Sequence, residues 1–234
     1  MNRSGELILQ HLDMVGVERA ARAADAALAA RVTHIKAYQQ ARFAHTYADL
    51  LANPRYAGAS KFFLDDLYGP DDFSQRDAQF ARVVPALARL FPHEVVETVE
   101  ALTALHALSE RFDTVMARHV DDGPVDAARY LAAWRLAGQP ASRQRQVDLM
   151  VEVGRALDLY TRRPLLRRSL HLMRVPARAA GLSALQAFLE SGFDTFQAMR
   201  GAQDFLAQIA ERERALATRL FDTASSAQAL GELP

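Results

Sequence analysis

The sequence has no cysteine, no long apolar run and no net charge, and each of these absences excludes a class of protein. Without cysteine the chain forms no disulfide, thiolate zinc site or iron–sulfur cluster, and it has no cysteine nucleophile. No apolar stretch approaches the roughly 18 residues that span a bilayer. Gln10, His11 and Asp13 interrupt the first apolar run, which excludes a signal-peptide core. We therefore expect a cytoplasmic protein with no membrane span.

The charges balance, with 28 Lys and Arg residues against 28 Asp and Glu residues. The chain as a whole is therefore expected to attract neither nucleic acid nor a membrane surface. Several enzyme motifs are absent as well: the nucleophile elbow, the phosphate-binding loop, the dinucleotide fingerprint and the His-Glu-x-x-His metal motif. Glu-x-x-His, which carboxylate-bridged di-iron bundles require, is also missing, so the sequence predicts no metal site and no catalytic residue.

Helix-forming residues dominate what is present. Ala, Leu, Arg, Glu and Gln are frequent, and runs of β-branched residues stop at pairs such as Val83-Val84. Gly and Pro fall mostly between segments of helical periodicity. The sequence therefore predicts an all-α protein, a single compact bundle of about eight to ten helices over residues 1–222, followed by a disordered tail over residues 223–234.

The first amphipathic pattern predicts one long helix from Val17 to Ala52, because apolar residues such as Leu28, Val32 and Ile35 recur at three- and four-residue steps. Asn53-Pro54 is expected to end this helix and to begin the next, with Asn53 as N-cap and Pro54 at the first helical position.

The most unusual segment is acidic and aromatic and runs from Phe62 to Asp77. Asp65 and Asp66 fall in the last turn of the predicted second helix, where the helix dipole disfavours acids. Either Arg76 or Arg82 pairs with them, or they belong to a binding site. We expect at least one of the two to be buried against an Arg, because an unpaired buried carboxylate is very costly. The candidate binding residues here are Phe62, Phe63, Asp65, Asp66, Tyr68, Arg76 and Asp77, of which Asp77 is also predicted to cap a helix with Ser74.

This segment also resembles a known group of sequences. Phe62–Gly69, followed by Asp72-Phe73 and Arg76-Asp77, resembles a family of uncharacterised proteobacterial proteins that carry an FFLxDLYG motif. The Leu182–Phe196 and Phe205–Phe221 stretches look similar to that family too, so the resemblance extends over most of the chain. It implies family membership and no activity.

Histidines on the predicted first helix suggest a second candidate site. His34, Tyr38 and His45 share one helical face, although about 16 Å separates the two histidines, too far for a single metal ion. Either histidine is a candidate axial ligand of haem, with apolar walls from Phe62, Phe63 and other aromatic residues. Arg42 or Arg55 would then bind the propionates. The alternative is that each histidine is packed or solvated.

Charge is unevenly distributed along the neutral chain. Seven Arg and only one acid, Asp158, lie between Arg155 and Arg178, whereas the Glu94–Asp126 region is acidic. The basic segment is a candidate phosphate- or nucleic-acid-binding surface. Tyr160 is its only aromatic residue, and because the net charge is zero we expect little nucleic-acid binding at physiological salt.

These observations predict a non-catalytic helical protein that binds a partner or an apolar ligand. Two alternatives stay open: a haem- or tetrapyrrole-binding protein of the haem-oxygenase kind, and a phosphate- or nucleic-acid-binding regulator that uses the Arg155–Arg178 segment. The sequence does not identify the ligand, and it leaves the oligomeric state open, a homo-oligomer included.

Overall fold

The helices of the described residues pack into a bundle around shared apolar cores, as the helix-rich composition predicts. The structure is a computed structural model that describes residues 3–67 and 73–234, with all their side chains except those of Asp66, Leu67 and Pro164. These residues contain no strand, and none of their helices is both long and apolar enough to cross a membrane. The helices are α1 (Arg3–Ala23), α2 (Ala26–Thr46), α3 (Ala48–Ala52), α4 (Ala57–Phe62), α5 (Ser74–Leu90), α6 (His93–Ala117), α7 (Ala127–Ala137), α8 (Pro140–Thr161), α9 (Pro164–Leu172), α10 (Arg174–Ala179), α11 (Ser183–Met199), α12 (Gln203–Phe221) and α13 (Ser226–Gly231), with a π-helical turn at Phe63–Leu67.

The predicted number of eight to ten helices is too low. The difference comes from four short helices of five or six residues, namely α3, α4, α10 and α13. Segments this short span less than two turns, so they show no apolar period that a sequence pattern could reveal.

The predicted long helix from Val17 to Ala52 is divided in the structure. Asp25 separates α1 from α2, because its backbone is extended. It is the N-cap of α2, since its side chain accepts a hydrogen bond from the backbone N–H of Leu28. The apolar stripe that begins at Leu28 is buried as predicted. Asn53 is not an N-cap, because its side chain accepts from the backbone N–H of Arg55 and α4 begins only at Ala57.

Two large apolar cores and one small core hold the bundle together. The first core contains Phe43, Phe62 and Phe63 with residues of α6, α8, α11 and α12. The second is built on Tyr38, Tyr130 and Trp134 with α6, α12 and α13. The small core joins α1 to α5 and α6.

The segment over residues 223–234, for which the sequence predicts disorder, contains α13. Ala229 is fully buried and Leu233 is buried in the second core. The Tyr38 hydroxyl donates to the carbonyl oxygen of Pro234 at 3.2 Å, and Arg219 forms an ion pair with Glu232. These contacts place the segment against α2 and α12.

Gly154 of α8 lies against Leu206 of α12, which gives a test of the packing of these two helices. A Cβ atom at this position would lie 2.5 Å from Cδ2 of the buried Leu206. We expect Gly154→Ala to lower the free energy of unfolding by about 1–3 kcal/mol, measured by urea denaturation. Gly16→Ala in α1 is the control. A Cβ atom at position 16 meets open space, so this substitution should raise the free energy of unfolding by about 0.5–1 kcal/mol. A Gly154→Ala protein as stable as wild type would contradict this close contact.

Candidate ligand-binding cavity

The candidate residues on α2 have different environments. Tyr38 and Arg42 face the bundle interior, whereas His45 is exposed. His34 is half-buried, and its Nδ1 is enclosed without a hydrogen-bond partner. Burial and the nearby Tyr130 hydroxyl raise the pKa of Tyr38 well above its ordinary value, so this phenol stays protonated.

The candidate residues around the π-helical turn do not form one open site. Phe62 and Phe63 are buried in the first core, and Phe63 stacks on Phe43 with ring centroids 6.4 Å apart. Asp65 is exposed. Tyr68 and the side chain of Asp66 lie outside the described residues. Phe62 and Phe63, two of the aromatic residues expected to form the walls of a haem pocket, therefore pack in the first core, while His45 faces solvent.

Among the described residues, Asp77 forms a buried Asp–Arg cluster. The prediction of such a pair at Asp65 or Asp66 stays open, because Asp65 is exposed and the side chain of Asp66 lies outside the described residues. The Asp77 side chain binds Arg19 of α1 at 2.7 Å, His106 of α6 at 2.7 Å and its neighbour Arg76 at 3.4 Å. It therefore does not serve as the predicted helix cap, because it is turned toward α1 and α6. Burial acts to raise the pKa of Asp77, but His106, Arg76 and Arg19 outweigh it and lower this pKa to about 2.

Arg76 lies between aromatic rings as well as beside Asp77. Its guanidinium carbon is 4.2 Å from the ring centroid of Phe73 and 4.5 Å from that of Phe188. Two cation–π contacts and an ion pair fix this side chain, so Arg76 joins α5 to α11.

A polar cavity of about 50 Å³ lies inside the bundle, between α2, α7, α8 and α12. We call it the polar cavity and define it by its lining residues: Gln39, Arg42, Tyr130, Trp134, Arg143, Gln146, Val147, Met150, Glu213, Leu216, Ala217 and Leu220. Sites between the helices of a bundle are a common location for small ligands. Of the predicted candidate residues whose side chains the structure describes, Arg42 is the one that lines this cavity.

Arg42 provides the first polar group of the cavity. Its Nη1 binds the carboxylate of Glu213, which also accepts a hydrogen bond of 2.7 Å from the Tyr47 hydroxyl. Burial acts to lower the pKa of Arg42, but Glu213 outweighs it and raises this pKa above the ordinary value. The Nε–H of Arg42 is enclosed and has no acceptor. The guanidinium is therefore firmly charged and retains one unused donor.

Trp134 provides a second unused donor in the same cavity. It is 9% exposed, and its Nε1 is enclosed without a hydrogen-bond partner. Buried indole N–H groups usually find an acceptor. Two such donors, Arg42 Nε and Trp134 Nε1, therefore border one cavity.

Arg143 is held between aromatic rings at the same place. Its guanidinium carbon is 3.6 Å from the ring centroid of Phe112 and 3.9 Å from that of Trp134. The residue is 5% exposed, and it also contacts Met116 Sδ at 3.1 Å and Gln146 Oε1 at 3.4 Å. Stacking on two rings fixes the plane of the guanidinium beside the cavity.

A line of buried charges leads from α1 to the polar cavity. Glu110 binds Arg22 and also Lys36, whose Nζ is 2.7 Å from the carboxylate. Lys36 lies 3.7 Å from Asp113, which accepts a 3.0 Å hydrogen bond from the cavity residue Gln39. Burial acts to raise the pKa of Glu110, but Lys36 and Arg22 lower it to about 2, whereas burial raises the pKa of Asp113.

Positive charge is in excess around the cavity. The buried or nearly buried cations on this line and in the cavity are Arg22, Lys36, Arg42 and Arg143, against the carboxylates of Glu110, Asp113 and Glu213. Within this group of described residues the cations therefore exceed the carboxylates by one. The raised pKa of Asp113 increases that excess whenever Asp113 is protonated.

Sequence reasoning found Arg42 but missed the other polar residues of the cavity. Trp134, Arg143 and Glu213 lie on three different helices, and no spacing in the sequence connects them. The available signal is that Arg42, Arg143 and Glu213 each interrupt the apolar side of an amphipathic helix. A charge in such a position needs a partner from another helix.

A second depression, larger and more open, lies where the basic segment was predicted. This basic cleft of about 510 Å³ is lined by Thr161, Arg162, Arg167, Arg168, His171 and Gln197. Arg162 pairs with Asp158 at 2.6 Å and Arg167 pairs with Asp194 at 2.9 Å. Both arginines are strongly exposed, so these pairs contribute little to stability.

Metal binding has no support from the described side chains, among which no group of three His, Asp or Glu residues is placed to hold an ion. Comparison with known proteins gives a family match but no activity. A family model described as a domain of unknown function matches residues 18–227. No curated protein and no solved structure matches the chain.

The cluster around Asp77 predicts a specific acid sensitivity. The pKa of this carboxyl falls from its ordinary 3.8 to about 2, so its stabilising contribution is complete above pH 4 and disappears as the pH falls toward 2. We expect Asp77→Asn to lower the free energy of unfolding at pH 7 by about 2–4 kcal/mol and to flatten this part of the pH profile.

The matched control for Asp77→Asn is Asp65→Asn, since Asp65 is exposed. It should change the free energy of unfolding by less than about 0.5 kcal/mol and leave the pH profile unchanged. Equal melting temperatures for both variants between pH 2 and pH 7 would contradict the buried cluster.

Proposed function

Because the chain belongs to DUF8198, a family of domains of unknown function, we propose its function from the site itself: the protein binds a small anion in the polar cavity. The observation that carries this proposal is the pair of enclosed donors, Arg42 Nε and Trp134 Nε1, which border one cavity and have no acceptor. A buried donor left without an acceptor costs about 1–3 kcal/mol, so a ligand that supplies acceptors is favoured.

The charge around the cavity supports an anion over a neutral acceptor. Cations exceed carboxylates by one in the buried group described above, and a bound anion would balance them. A carboxylate also matches a guanidinium well, because its two oxygens accept in one plane. Arg143, fixed between Phe112 and Trp134, is placed to bind such a group.

The size of the cavity limits the ligand to a few heavy atoms. A volume of about 50 Å³ corresponds to roughly three to five water positions, or to an anion the size of formate or acetate. The sequence predicts a partner or an apolar ligand, and that prediction stays open; for this cavity, the polar residues of its lining favour a small anion. Ordered water is the competing occupant, and the experiment below distinguishes the two.

Trp134 allows a direct test because it is the only tryptophan in the chain. We expect formate, acetate, pyruvate or inorganic phosphate, titrated one at a time, to change the Trp134 emission in a saturable way for at least one of them. The same anion at about 100 times its Kd should raise the melting temperature by roughly 5–10 °C.

Variants distinguish anion binding in the polar cavity from a non-specific effect of added salt. Arg143→Met should weaken the binding of the selected anion at least tenfold, because a charge-assisted hydrogen bond is lost. Arg145→Met, two residues away on α8 and 57% exposed at its side chain, should leave the affinity unchanged. If Arg143→Met does not fold, Trp134→Phe followed by calorimetry replaces it, with an expected loss of about fivefold or more.

Two results would overturn the proposal. The first is the absence of a saturable response to all four anions, which assigns the cavity to ordered water. The second is an equal response in the wild type, in Trp134→Phe and in a folded Arg143→Met protein, measured by calorimetry.

A further inference from the structure

The exposed apolar side chains of the protein are concentrated on α9 and α10. Leu165 is 73% exposed, Leu172 77%, Met173 52% and Val175 78%. Four of the twelve large apolar residues that are exposed in the described chain therefore fall within eleven consecutive positions. A contiguous patch of this kind usually marks a contact surface.

The register of α9 separates an inner face from an outer face. Leu166 and Leu170, four residues apart, are partly buried against the bundle. Leu165 and Leu172 are seven residues apart, which places them on a common face that is exposed. Arg168 follows Leu165 by three residues and precedes Leu172 by four, so it borders this same outer face.

Positive charge surrounds the apolar stripe. Residues 161–180 contain six Arg and no Asp or Glu. Four of these arginines pair with carboxylates of other segments, namely Arg162, Arg163, Arg167 and Arg174. Arg168 and Arg178 are exposed and take part in none of the ion pairs that the described residues form. The chain has no net charge, but this surface is locally basic.

We propose that α9 and α10 dock the protein on a membrane that contains anionic phospholipids. The exposed side chains of Leu165, Leu172 and Val175 enter the interfacial region, and the arginines of the basic cleft bind phosphodiester headgroups. This arrangement is typical of amphipathic helices that lie in the plane of a membrane surface. The proposal is independent of ligand binding in the polar cavity.

The positive charge and the apolar stripe together favour an anionic membrane over other partners of this surface. Nucleic acid would neutralise the arginines but leave Leu165, Leu172 and Val175 in water, and Tyr160 alone could stack on a base. A free phosphate could occupy the basic cleft but would likewise leave the apolar stripe exposed. A bilayer with anionic lipids offers both an apolar region and a layer of phosphates.

The test is co-sedimentation of the full chain with vesicles at about 50 mM salt. Vesicles of phosphatidylcholine with about 30% phosphatidylglycerol should bind the protein, and vesicles of phosphatidylcholine alone should bind it at least tenfold less. The double variant Leu165→Ser with Leu172→Ser should reduce binding at least tenfold. Arg168→Gln should reduce it about fivefold, since one cation near an anionic surface has about that effect.

Matched variants show whether vesicle binding depends on where the replaced residues lie or only on their type and number. Leu90→Ser with Leu136→Ser removes two leucines that are 78% and 65% exposed on other helices. Arg145→Gln removes an exposed arginine of α8. Both controls should bind the anionic vesicles as the wild type does, and because all the replaced side chains are exposed, the melting temperatures should stay equal.

Three outcomes would overturn the proposal: no binding to the anionic vesicles, equal binding to both kinds of vesicle, or binding that the α9 variants do not weaken. Inorganic phosphate and duplex DNA complete the experiment. If either binds the wild type more strongly than the vesicles do, in a manner that depends on Arg168 but not on Leu165 and Leu172, the surface is a phosphate or nucleic-acid site and the membrane proposal is wrong.

Discussion

Glu110 forms the interaction that fixes α2, the helix that carries Arg42 to the polar cavity, against α1 and α6. This carboxylate on α6 is 4% exposed and binds Arg22 at the end of α1 and Lys36 in the middle of α2. A buried carboxylate must keep its cations, because the loss of one partner leaves an uncompensated charge. The three helices are thereby held in one relative position, and α2 presents Arg42 to the interior two turns beyond Lys36.

The same constraint recurs at two other carboxylates of the described residues, Asp77 and Glu213. Asp77 is satisfied by Arg19, Arg76 and His106, and the carboxylate of Glu213 by Arg42 and the Tyr47 hydroxyl. Each of these groups joins helices that are distant in the sequence. The polar cavity differs from them, since enclosed donors of Arg42 and Trp134 remain without acceptors. That contrast is the basis on which we propose the polar cavity as a binding site.

Periodicity predicted the helical class and most of the long helices, because their apolar faces repeat every three to four residues. Helix α11 (Ser183–Met199) is an example, since its buried residues Leu185, Phe193 and Phe196 lie on one helical side. The break at Asp25 was missed because the apolar stripe of α2 resumes within three residues. The π-helical turn at Phe63–Leu67 has no such signature, since it depends on packing of Phe62 and Phe63 in the first core.

The candidate site was only partly predictable for a related reason. A carboxylate cluster is visible in the sequence at Asp65 and Asp66, but the buried carboxylate that binds arginines within the described residues is Asp77 of α5, which also contacts His106 of α6. Arg42 was selected from its helical face. Arg143 and Glu213 could not be connected with it, since 101 and 171 residues separate them from Arg42 along the chain and only the folded bundle brings them together.

The two arginines in the last part of α1 have a consequence for local unfolding. Arg19 and Arg22 lie about one turn apart and bind different carboxylates, Asp77 and Glu110, whereas the beginning of α1 is held mainly by Ile8 in the small core. Local unfolding at the two ends of α1 therefore breaks different interactions. Fraying from Arg3 costs a few apolar contacts, but it stops at Arg19, where further opening would expose two buried ion pairs at once. Amide hydrogen exchange along α1 should accordingly rise in protection toward its C-terminal end.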